Sequence, residues 1–156
     1  MITIRPYHPA DAQAVEHIVT ACTRELRKVY RPNPDAPPAS PSTSSATERL
    51  VAVDDAGPIV GVAKFAPRTS ALYTQGIAVA PDYRRRGVAG TLLKHISALA
   101  ADRQISQLEL ATIKETGNVS IFLRLGFLVV EEHLSERFVG ADGQAVAEVM
   151  LKRHVP

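Results

Sequence analysis

The chain opens on alternation. Ile2-Thr3-Ile4-Arg5 carries the two-residue period of a strand with one covered face, and Pro6 and Pro9 close it. From Asp11, a residue able to cap a helix, the spacing changes to three and four. Val15, Ile18, Val19, Cys22 and Leu26 fall on one stripe while Glu16, Arg24 and Arg27 fall elsewhere, so an amphipathic helix is expected to about Val29. Residues 30–47 break every period. With prolines at 32, 34, 37, 38 and 41 and serines between them, the segment has almost nothing apolar to bury. It reads as a disordered linker or as a flap over a substrate.

Period two then returns. Arg49–Val53 and Ile59–Pro67 read as a hairpin around Asp54-Asp55-Ala56-Gly57-Pro58, and Leu72–Val79 as a further strand ending at Ala80-Pro81. A helix is expected from near Gly87 to about Asp102, with Val88, Leu92, Ile96 and Leu99 on one face. Leu108–Thr112 is a short apolar strand and Thr116–Leu125 a short helix. Strands Phe127–Arg137 and Ala145–Arg153 follow, joined by Gly140-Ala141-Asp142-Gly143. Hairpins mixed with strand–helix–strand crossovers predict one α+β domain over residues 1–156. Its mixed, mostly antiparallel sheet should have about six or seven strands, flanked by about three or four helices.

Composition narrows the class of protein without naming a function. The 156 residues are 46% hydrophobic and 22% charged, as in an ordinary globular domain. Mean hydropathy is −0.01. Cys22 is the single cysteine, so neither an internal disulfide nor a cysteine-rich zinc site can form, and no metal is expected. No apolar run is long enough to span a bilayer, and the N-terminal residues lack a signal-peptide core. A cytoplasmic protein with no membrane partner is expected. A net charge of +2 and aromatic content of 5% without tryptophan argue against a nucleic-acid binder built on Arg84-Arg85-Arg86.

The stretch with chemical content is Gly76 to Ile96, GIAVAPDYRRRGVAGTLLKHI. A strand ends at Val79, a proline turn follows, and a basic glycine-containing loop opens a helix. Unpaired N–H groups, the helix dipole and three arginines in one place make a phosphate or diphosphate cradle. It is not a Walker A loop, because no lysine precedes Thr91. Nor is it a dinucleotide fingerprint, because only Gly87 and Gly90 are present.

This segment resembles the acyl-CoA-binding motif of the GNAT N-acetyltransferase superfamily, with the pattern Arg84-x-x-Gly87-x-Ala89 after Ile77-Ala78-Val79 and Pro81. Leu108–Thr112, Asn118 and Leu125-Gly126-Phe127 are similar to the family's second motif. The resemblance implies a GNAT-like fold and an N-acetyltransferase using acetyl-CoA as acyl donor toward an amine acceptor. It implies that Arg84, Arg85, Arg86, Gly87, Val88, Ala89 and Gly90 hold the coenzyme's diphosphate. Ile77, Ala78 and Val79 would pair with its pantetheine arm, with Asn118 and Phe122 beside it. The Val79 N–H would stabilise the oxyanion. The family also uses homodimers.

Two features depart from the pattern. Strand Leu72–Val79 has no carboxylate to serve as base; Glu109 on the next strand is the nearest acidic candidate. Tyr73 and Gln75 share a face with Ile77 and Val79 by alternation. His133 is a further candidate base. The position four before Gly126, where many members carry a tyrosine that protonates the leaving thiolate, is Phe122. A non-catalytic acyl-CoA-binding module therefore stands as the alternative. Cys22 reads as core, and the Asn118-Val119-Ser120 sequon as irrelevant without export.

Overall fold

The computed structural model describes residues 1–37 and 47–156. Half of the 30–47 segment for which a linker or flap is expected, residues 38–46, lies outside the described residues. In chain order the elements are β1 (Ile2–Pro6), α1 (Ala12–Leu26), β2 (Tyr30–Pro32), β3 (Glu48–Asp54), β4 (Ile59–Arg68) and β5 (Ala71–Val79). They continue with α2 (Val88–Asp102), β6 (Gln107–Ile113), α3 (Asn118–Arg124), β7 (Leu128–Gly140) and β8 (Ala145–His154). The strands form one sheet in the order β1-β3-β4-β5-β6-β8-β7-β2. Only the β5–β6 pair is parallel, as the α2 crossover between them demands. The predicted α+β class holds, with eight strands rather than about six or seven.

The helices divide between the two faces. α2 contributes Val88, Leu92, Leu93, Ile96 and Ala100 to the larger core, against Phe65, Leu72, Leu108, Phe127 and Leu151. Val119, Phe122 and Leu125 pack on the same side. α1 covers the opposite face, setting Val15 against Val51 and Val62. Its predicted stripe is only partly buried: Val15 and Ile18 are covered, while Val19 is 42% exposed. α2 lies so close to the sheet that a Cβ on Gly61 would stand 2.9 Å from Val88 Cγ1. This is why β4 carries a glycine there.

The extra strand is β2. Instead of remaining in the irregular segment, Tyr30–Pro32 pairs with Gly140, Val139 and Phe138. The Tyr30 and Phe138 rings meet edge to face, 5.1 Å apart. α1 stops at Leu26 rather than Val29 because the backbone is diverted toward that pairing. The Val29 carbonyl accepts from the Ala141 N–H.

Asp11 does not cap α1 as predicted; its side chain makes no capping bond to that helix. The carboxylate accepts from both terminal nitrogens of Arg5, at 2.8 and 2.9 Å, and from the His8 N–H at 2.8 Å. The Arg5 guanidinium, helped by the His8 N–H, holds its pKa down to about 2.

One irregularity positions the site. Lys64 faces Gly76 while Phe65 faces Thr74, so Gln75 is an unopposed bulge residue in β5. A bulge reverses the alternation beyond it. Leu72 before it and Ile77 and Val79 after it therefore face the same large core, and Ala78 faces α1. The expectation that Tyr73 shares a face with Ile77 and Val79 is overturned for this reason, whereas the bulge residue Gln75 lines the same cleft as Ile77.

Candidate active site

β5 and β6 stay in register for three rungs only: Leu72–Leu108, Tyr73–Glu109 and Thr74–Leu110. Beyond them β5 follows β4 to Val79, while β6 follows β8 to Ile113, and the two edges part. Thr74, Gln75, Gly76 and Ile77 from β5 and Leu110 and Ala111 from β6 line a cleft of about 40 Å³ at this fork. Phe122 of α3 closes it from the helix side.

Which main-chain groups face the fork follows from strand alternation. The Ala80 N–H donates to Val60 O, toward β4, at 2.8 Å. The N–H and C=O of Ala78 share that direction, so those of Ile77 and Val79 point the other way, toward the parted edge. The Val79 carbonyl agrees: it accepts from Arg84 Nε at 3.4 Å and from Cys22 Sγ at 3.5 Å, neither of them in β4.

After β5, Pro81–Tyr83 makes one 3-10 turn, pinned by the Tyr83 hydroxyl donating to Asp54 Oδ2 at 3.0 Å. That bond holds the Tyr83 phenol above its ordinary pKa. Arg85 then takes φ +63° and Gly87 φ +79°. A glycine suits this left-handed geometry, which costs other residues about 1–2 kcal/mol. A Cβ on Gly87 would meet nothing within 4 Å, so the space beside the loop is open. The first acceptor used inside α2 is Gly87 O, bonded by the Thr91 N–H at 2.9 Å. The six N–H groups from Arg85 to Gly90 thus have no acceptor among the described residues. Consecutive free N–H groups at a helix mouth form an anion-binding nest.

The arginines divide their work. The Arg84 guanidinium turns toward α1, where it pairs with Glu25 and lies 3.5 Å from Cys22 Sγ. The Glu25 bond raises its pKa. Its side chain is thereby committed to bracing α1 against the end of β5. Arg86 stacks on Tyr83, 5.0 Å from the ring centroid, and Arg85 makes no ion pair among the described residues. Cys22 is half-buried, more exposed than the core position expected of it.

The other candidates fall as follows. Glu109 and Tyr73 stand side by side on the last rungs before the fork, on the α1 face. Glu109 bonds Lys152 at 3.2 Å, and Arg68 lies 3.5 Å from the Tyr73 ring centroid. Asn118 is the first residue of α3, but the cap is Gly117, and the Asn118 N–H donates to Thr116 Oγ1 at 3.2 Å. His133 is on β7, two strands removed from β6, where it faces Glu148 Oε2 at 3.4 Å. Burial opposes ionisation of Glu148, yet Ser135 and Arg137 outweigh it and lower the pKa. The fork does not bring His133 in.

Sequence reasoning missed Thr74, Leu110 and Ala111 as cleft residues. Thr74 is 4% exposed, and its hydroxyl has no hydrogen-bond partner among the described residues. Leaving such a group unpaired costs about 1–3 kcal/mol. Nothing in the local sequence signals it, because a threonine in a strand is unremarkable.

A fork between parallel strands beside a free N–H nest suits an extended thioester coenzyme, whose amide arm needs an open strand edge and whose diphosphate needs donors. The family model for the acetyltransferase (GNAT) family matches residues 13–127. Among solved structures, a GCN5-related N-acetyltransferase from Kribbella flavida superposes with a TM-score of 0.74 at 20% identity, covering 98% of this chain and 97% of that one. The ribosomal-protein-S18-alanine N-acetyltransferase from Escherichia coli gives 0.73 at 20% identity, covering 99% and 94%. A candidate streptothricin acetyltransferase from Bacillus anthracis, solved with acetyl coenzyme A, gives 0.73 at 12% identity, covering 100% and 99%. Comparison with curated protein sequences yields no match. The chain belongs to the GNAT family of N-acetyltransferases, enzymes that use acetyl-CoA. No helix among the described residues is long and apolar enough to cross a membrane.

Proposed function

We propose that this chain moves the acetyl group of acetyl-CoA to an amine of a small molecule or peptide, by direct attack within a ternary complex. The observation that carries the proposal is the run of free N–H groups from Arg85 to Gly90 beside the parted edge of β5. In this reading those N–H groups hold the diphosphate and Arg85 and Arg86 neutralise it. Arg84 acts through its backbone and as a brace. The main-chain groups of Ile77 and Val79 pair with the coenzyme's amide arm, Ala78 keeps their register on β4, and Asn118 and Phe122 flank it. The N–H groups of Ile77, which lines the cleft, and of Val79 are the donors open to the thioester oxygen, where a preorganised donor is worth about 3–4 kcal/mol. In the same reading Glu109, one rung before the fork and paired with Lys152, is the candidate carboxylate to take the proton of the attacking amine, whose ordinary pKa near 10.4 leaves it charged at neutral pH.

The test pairs titration calorimetry of acetyl-CoA with coenzyme A release against a panel of amino acids, polyamines, aminoglycosides and peptide N-termini at several pH values. The proposal requires saturable heat and amine-dependent release. Tight binding with no turnover across the panel would instead establish a non-catalytic acyl-CoA-binding module, the reading favoured by a phenyl ring at position 122.

A further inference from the structure

The hydroxyl of Thr74 is the one buried side-chain polar atom without a partner among the described residues. It sits on the last rung before β5 and β6 part, opposite Phe65 and beside Leu110, in the lining of the cleft that Phe122 closes. Phe122 brings a ring with no proton to that cleft. Ile77, Leu110 and Ala111 bring only apolar side chains, and Gln75 is exposed to water. No charged side chain lines the cleft. Tyr73 and Glu109, the nearest titratable residues in register, lie on the opposite face, with Glu109 held by Lys152. An anion forming in such a place is poorly solvated, and a single O–H without an acceptor is the donor available to it.

We propose that the Thr74 O–H donates a hydrogen bond to the sulfur of the departing coenzyme A thiolate, supplying the polar contact that Phe122 cannot. This rests on the acetyltransferase reading above. In the step concerned the amine nitrogen bonds to the acyl carbon, the carbon–sulfur bond breaks, and its electron pair leaves on sulfur. The amine's surplus proton passes to the base or to water. The thiolate is later protonated from solvent, and Thr74 keeps its own proton throughout.

The experiment needs no acceptor. Coenzyme A bound to the wild-type protein is titrated with pH, following the ultraviolet absorbance of the thiolate, alongside Thr74→Val and Thr74→Ser. A donor to the thiolate lowers the thiol's pKa against the desolvation that raises it, so the thiol of bound coenzyme A should have a lower pKa in the wild type than in a variant without that donor. Thr74→Val should raise that value by about one unit, a tenfold change in ionisation, and Thr74→Ser should largely retain it. Thermal unfolding of Thr74→Val should be unchanged or higher, because an unsatisfied buried hydroxyl is replaced by an isosteric methyl. A buried threonine with only a packing role would leave the thiol titration alike in all three proteins, and that result overturns the inference while the acetyltransferase reading stands. Failure of the wild type to bind coenzyme A overturns both.

Discussion

Replacing Gly87 by alanine tests the loop proposed to hold the diphosphate. At φ +79° an alanine is strained by about 1–2 kcal/mol, and because its Cβ meets nothing within 4 Å no steric clash adds to that cost. For a chain of 156 residues each kcal/mol lowers Tm by about 2–4 °C, so a fall of about 2–8 °C is expected. The strain has an escape: the loop can swing Gly87 to negative φ, which turns away the N–H groups next to it. Losing one charge-assisted hydrogen bond costs about 1.5–3 kcal/mol, so the Kd for acetyl-CoA should rise at least about tenfold. Gly143→Ala is the matched control. Gly143 has φ +86° in the β7–β8 turn, and its Cβ would meet nothing closer than Arg31 Nη2 at 3.9 Å. Calorimetric titration and thermal unfolding of both variants separate strain from recognition. Equal losses of stability with equal, wild-type affinities would refute the role of this loop as the anion cradle.

Gly61→Ala should destabilise by about 1–3 kcal/mol in urea unfolding, because the new methyl would overlap Val88 Cγ1 at 2.9 Å and push the start of α2 off β4. Acid should weaken the N-terminal corner through Asp11. Its folded pKa of about 2 lies below its ordinary 3.8, so the stabilisation is complete only above about pH 5, shrinks as pH falls through 3.8 and is gone once pH falls through 2. Urea midpoints of the wild type should therefore fall toward those of Asp11→Asn across that window, whereas a constant gap between the two proteins would show that the Arg5 pair does not titrate as argued.

Elements and their order were legible from local pattern because they are local quantities. The three-and-four spacing from Val88 to Leu99 is a helix wherever it packs, and Asp54 to Pro58 turns a hairpin by its own backbone preferences. The loop that opens α2 was equally legible: glycine and helix-start chemistry lie within a few residues between Val79 and Gly90. Partners across the sheet were not. Asp11 looks like a cap until Arg5 on a neighbouring strand reaches its carboxylate, and Arg84 reads as a phosphate ligand until α1 sets Glu25 beside it. Tyr30–Pro32 becomes a strand only because β7 offers an edge. Most consequential is the bulge at Gln75, a one-residue excess that period-two alternation cannot show. It depends on how β4 pairs with β5, and it decides which side chains share a face with Ile77 and Val79. The fork that leaves Thr74 unpaired likewise exists only because two strands joined by a helix follow different neighbours. Short-range periodicity thus carried the elements and the loop, and long-range pairing alone carried the cleft, since a strand's free edge is a property of what lies beside it.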